Sequence, residues 1–210
     1  MKKTNGHERR GPLAVTIDAD HPLIACDVFR SALQHLGVDR PDESGNIIYL
    51  PAHLHLRPHK LRDQLQQCIA CRSTDRQPAG CLFGQCCPDI DQLLQPRGID
   101  RIACGHCYEI LLGRTAYRRL MDRQPGTFFL EKEVILNFDV LCRTPLELDD
   151  PQIRAWTFEH YRQTVYIRQP RDPDLTARAQ WIADFLSLPL LVLDADYDDL
   201  IAFLKQHQNG

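Results

Sequence analysis

Short apolar runs recur along this chain between longer segments with helical spacing, and that alternation constrains the fold more than any other feature. "LIAC" at 23–26 reads as a buried strand, and 28–36 follows with apolar residues at i, i+3 and i+4. "NIIYL" at 46–50 is a second strand, ended by Pro51. Residues 58–71 suit a helix with proline in its first turn, where a missing N–H costs nothing. Residues 80–83 and 100–103 are further short strands. Between them, 88–94 suits a helix start, because Asp89 and Asp91 favour the positive end of the helix dipole. Residues 108–121 read as helical with a break near Gly113. The second half repeats the scheme, with strands at 126–130, 165–167 and 190–193. Helices are expected at 132–141, 150–161, 175–186 and 197–206. Such alternation is the signature of an α/β fold with mainly parallel sheets flanked by helices, Rossmann-like in type. Residues 1–11 read as a disordered tail, and 12–210 as one α/β domain with a lobe boundary near residue 125.

Charge narrows the function classes. Lys+Arg number 25 against 28 Asp+Glu, a formal net charge of -3. No basic face is implied, so a nucleic-acid partner is not expected. No run reaches 18 apolar residues, so no membrane partner is expected either. Nine cysteines in 210 residues are too sparse for a disulfide scaffold in a chain this long. Their odd number, with no signal-peptide pattern at the start, suits a reducing cytoplasm.

The position of the cysteines carries more than their number. In open α/β sheets ligands bind outside the carboxyl ends of the strands. Cys26 ends the first strand, Cys86 follows the third across a Gly-Gln turn, and Cys107 follows the fourth across Gly105-His106. Three thiols from separate strand ends suit a metal, since soft thiolates select zinc or an iron–sulfur cluster. The expected ligands are Cys26, Cys86 and Cys107, with His106 beside them. Zinc held by three protein ligands keeps a fourth position open to activate a thiol or water. Glu109 and His55 are the candidates to move protons there. With a [4Fe-4S] cluster, three cysteines leave one iron open. His53 and His55 face the same way if their segment stays extended, so His53 joins Arg57 as a candidate for holding substrate, Arg57 suiting an anionic one.

The remaining cysteines read as packing, since a free cysteine is also an ordinary core residue. Cys68-x2-Cys71 and Cys104-x2-Cys107 mimic a zinc ribbon, but 32 residues separate the pairs where 15–20 is usual. Cys81, Cys104 and Cys142 read as core, Cys68 and Cys71 as a helix face, and Cys87 as an alternative to Cys86. No phosphate loop, no G-x-G-x-x-G and no G-x-S-x-G elbow is present. Asp194, Asp196, Asp198 and Asp199 read as a solvated helix start.

Several motifs occur together in one order: "LIAC" at 23–26, "LPAHLH" at 50–55, Arg57-Pro58, "GHCYE" at 105–109, "PGTFFL" at 125–130 and "DYDDL" at 196–200. In this order the chain resembles the bacterial and archaeal family of unknown function numbered 1638, over about residues 22–200. That family usually carries Gly-Tyr-x-x-Cys-Gly after its third strand, where this chain has Cys87 in place of the last glycine. The resemblance implies that the first-strand cysteine, the third-strand cysteine and the His-Cys-Tyr-Glu segment belong to the family pattern. It also implies an association of some relatives with corrinoid-dependent methyl transfer, and so a corrinoid or methyltransferase partner beside a small-molecule substrate. Three functions follow as expectations: a metalloenzyme, a non-catalytic metal or corrinoid handling protein, and an adaptor whose thiols are only core.

Overall fold

A computed structural model of the chain describes residues 15–40, 45–72 and 76–207. The expected tail at 1–11 lies outside the described residues. Two parallel sheets form, as the alternation requires. In the first, β1 (Leu23–Cys26) is flanked by β2 (Ile47–Leu50) and by β3 (Gly80–Leu82), and β4 (Asp100–Arg101) closes the far edge. The order β2-β1-β3-β4 buries β1 completely, which is why "LIAC" contains no polar residue. In the second, β5 (Thr127–Leu130), β6 (Gln163–Arg168) and β7 (Leu190–Asp194) lie in chain order. Every strand pair is parallel.

Helices provide the crossovers. They are α1 (Arg30–His35), α2 (Pro58–Ala70), α3 (Ile90–Leu94), α4 (Cys107–Leu112), α5 (Arg114–Arg123), α6 (Lys132–Leu136), α7 (Pro151–Thr157), α8 (Thr176–Phe185) and α9 (Asp198–Gln206). The helix expected over 132–141 is split: α6 ends at Leu136 and a π-helical turn spans Asp139–Arg143. The one expected over 150–161 stops at Thr157, and its Trp156 is 73% exposed. The fourth strand ends at Arg101, so Cys104 lies in the following loop, where it is still buried. Among the described residues no helix is long and apolar enough to cross a membrane.

The boundary near 125 separates the two sheets but not the two cores. One apolar cluster takes Leu23, Leu82 and Ile110 from the first half together with Phe129, Val165 and Ile167 from the second. The chain then returns: α9 packs on the first half, with Phe203 close against Gly80. The acidic run before α9 makes that joint. The Asp196 N–H donates to the Leu111 carbonyl at 2.7 Å, and Asp199 accepts from the Arg114 N–H at 2.7 Å, capping α5. A second cluster, including Leu130, Phe138, Tyr166 and Ile182, fills the outer side of the second sheet.

Candidate functional site

The carboxyl ends of β1 and β3 and the loop after β4 open on one cavity of about 260 Å³. Cys26, Cys86 and Cys107 all line it, with His106 and His55. Each arrives by a different local device. Cys26 is the last residue of β1. Cys86 sits on the turn after β3, and Cys107 opens α4.

Gly84 brings the last two together. A Cβ there would stand 3.0 Å from both the Cys107 nitrogen and the His106 Cα, so only glycine lets the β3 turn approach this loop. The approach is used: the Gly84 N–H donates to Cys107 Sγ at 3.4 Å, and the Gln85 N–H donates to the Gly105 carbonyl at 3.0 Å. Arg101 braces the same turn from below. It is held by Asp91 at 2.7 and 2.9 Å and donates to the carbonyls of Phe83, Ile102 and Cys104.

The three thiols interact. The Cys107 thiol is pushed well above the usual range by the neighbouring Cys26 and by burial. The Cys86 thiol is also pushed up, first by its hydrogen bond to Cys107 and then by burial. Burial thus favours the protonated thiols, whereas a cation among them would favour thiolates. As placed, no three His, Cys, Asp or Glu side chains among the described residues form a group that could hold a metal ion.

Both histidines have a defined tautomer. His55 Nδ1 meets only the Ala52 carbonyl, at 2.6 Å, so it donates and leaves Nε2 as the ring nitrogen presented to a ligand. His106 Nδ1 accepts from the Tyr108 N–H at 3.4 Å, which places the proton of the neutral ring on Nε2. Loss of water around His106, then the nearby His55, holds its pKa below the ordinary imidazole range. Its ring lies 4.4 Å from that of Tyr108, which also lines the cavity.

Not every expected residue belongs here. Residues 52–56 form a 3-10 turn and not an extended segment, so His53 and His55 part company. His55 reaches the cavity, while His53 and Arg57 are exposed and do not line it. Glu109 is 8% exposed and also does not line the cavity; its carboxylate accepts from the Gly105 N–H at 2.9 Å and faces Arg114 and Arg118 at 3.6 and 4.0 Å. Cys87 is buried in the core with its thiol on the Pro88 carbonyl, so Cys86 is the cavity thiol. Cys71, expected to pack on the helix face, is exposed just beyond α2.

The cavity's carboxylate escaped the sequence reasoning. Glu131, 3% exposed, enters from the second half. It follows β5, so the strand-end rule that found the cysteines reaches it too. Its carboxylate caps α6, accepting from the N–H groups of Glu133 at 2.8 Å and Val134 at 3.0 Å. Burial outweighs those bonds and pushes its pKa up to about 7.

A family model described as "Protein of unknown function (DUF1638)" matches residues 49–204. The chain belongs to this family. The matched segment carries Cys86, Cys107, His55, His106 and Glu131 but begins after Cys26, so DUF1638 as matched supplies all of the cavity's chemistry except the first thiol. No curated protein and no solved structure matches the chain.

Proposed function

We propose that this DUF1638 protein binds a single thiophilic metal ion, zinc by preference, through Cys26, Cys86 and Cys107. The observation that carries the reading is the meeting of three thiols from three strand ends in the lining of one cavity. On a single tetrahedral zinc the three sulfurs would each lie about 2.3 Å from the metal; a cluster would instead attach each cysteine to a different iron. Binding requires the thiols to turn to a common point, a matter of side-chain rotation. The Gly84 N–H already aimed at Cys107 Sγ would then stabilise the thiolate.

Three protein ligands leave a position open to the cavity, as in catalytic rather than structural zinc sites. When bound, the ion would lower the pKa of a thiol or water placed there. His55 Nε2 and the His106 Nε2–H stand at the same cavity to take and give a proton. Activation of a thiol would accord with the methyl-transfer association that the family resemblance implies.

Anaerobic purification followed by elemental analysis tests the reading. About one zinc per chain is expected. A brown preparation with iron and sulfide would replace zinc by a cluster. Metal-free protein of full stability that takes up no added zinc would overturn the proposal.

A further inference from the structure

The cavity wall has an unusual charge pattern. No lysine or arginine lines it, and its one carboxyl, Glu131, is 3% exposed. The nearest cation in sequence, Lys132, turns the other way. Its Nζ lies 3.3 Å from Ser31 Oγ and 3.7 Å from the fully buried Asp172 carboxylate. Arg114 and Arg118 are taken up by Glu109, outside the cavity. The rest of the wall is Val28, Ala52, two glycines, the three cysteines, Tyr108, Gln85 and the two imidazoles of His55 and His106; burial and the nearby His55 hold the His106 ring toward its neutral form.

A carboxylate buried without a cation is costly unless a partner arrives. Glu131 accepts one backbone N–H on each oxygen, and each carboxylate oxygen can accept another bond. An anionic ligand would enter against this carboxylate with no lysine or arginine in the wall to receive it. A protonated amine would neutralise it and donate to the remaining acceptor positions. The volume sets the size: a cavity of about 150 Å³ holds benzene, and this one is larger.

We propose that the cavity binds a small organic ammonium ion with an apolar body, its charged head on Glu131. This inference rests on reading the cavity as the functional site, but its charge argument does not use the metal.

Titration calorimetry of the full chain with benzylammonium, benzyl alcohol and benzoate tests it. These share a ring and differ in charge. Both the reduced metal-free chain and the zinc-supplemented chain are titrated, with zinc content measured separately. Benzylammonium is expected to bind about tenfold or more tighter than the alcohol, with benzoate weakest, in both forms. Glu131→Gln should bring the ammonium down to the alcohol. Ala52→Leu, which keeps the carboxylate and fills the cavity, should weaken all three. Benzoate binding as well as the ammonium, no binding of any of the three at millimolar concentration, or an unchanged preference in Glu131→Gln overturns the proposal. If Glu131→Gln does not fold, the wild-type ranking with Ala52→Leu decides. A chain without zinc that keeps the ammonium preference sinks only the metal reading. A zinc-binding chain that prefers benzoate sinks only this one.

Discussion

The backbone N–H of Gly84 points at Cys107 Sγ from 3.4 Å, and the same glycine has no room for a Cβ against the Cys107 backbone. One residue therefore both brings two strand-end loops together and aims a donor at the central sulfur of the thiol group. Gly84→Ala should cost about 1–3 kcal/mol through overpacking. It should also weaken zinc uptake, because the loop carrying Cys107 must move away. Chemical denaturation and zinc titration on the same variant check both effects. Full zinc affinity in a destabilised variant would separate packing from the site.

Single replacement of Cys26, Cys86 or Cys107 by serine should each abolish stoichiometric zinc. Replacement of Cys68 or Cys71 should leave it intact, since the first is half-buried in helix packing and the second is exposed outside the cavity. Elemental analysis of the purified variants reads the difference. Loss of metal in the Cys68 or Cys71 variant would revive the zinc-ribbon pairing.

Arg101, with a side chain only 8% exposed, spans the base of the site from Asp91 to three backbone carbonyls. Lysine carries the charge but not the planar fork. Arg101→Lys should lose about 2–3 kcal/mol of stability, which for a chain of this size lowers the melting temperature by roughly 5–10 °C. Differential scanning calorimetry measures it.

Glu131 makes stability depend on pH. Its folded pKa, about 7, lies above the ordinary carboxyl value of 4.5 because burial disfavours the charge. The folded state therefore holds more protons than the unfolded state between those values. Stability from this group is full below about pH 4.5 and falls as pH rises toward 7. The loss amounts to at most a few kcal/mol. Glu131→Gln should gain on the wild type across that window, and parallel stability curves for the two proteins would refute the assignment.

Lys132 and Asp172 join the halves across Ser31. Ser31 Oγ donates to Asp172 Oδ1, and Asp172 Oδ2 is buried with no hydrogen-bond partner. Lys132→Met should cost about 2–3 kcal/mol, by leaving that carboxylate without its cation. Pairing it with Asp172→Leu should recover much of the loss. A double-mutant cycle by urea denaturation tests the coupling.

Local pattern made the alternation legible: "LIAC" has no other way to bury itself than as an interior strand, "GTFFL" pairs as the edge strand of the second sheet, and the strands among the described residues all pair in parallel. Strand-end position also singled out Cys26, Cys86 and Cys107, because the carboxyl edge of a parallel sheet is where loops converge. What local pattern missed depends on neighbours distant in sequence. Choosing between Cys86 and Cys87 needed the turn set by Gly84 against the next loop. Separating His55 from His53 needed the 3-10 turn after β2.

By itself, then, the sequence determined an α/β chain with thiols at its strand ends, since burial periodicity and turn chemistry act over a few residues. Only the tertiary structure decided which side chains share a cavity. It turned Glu109 and the acidic run before α9 into structural anchors and brought Glu131 in from the second half. That decision comes from packing β5 and β6 against the first sheet's core, a contact between residues roughly a hundred positions apart that no local pattern encodes.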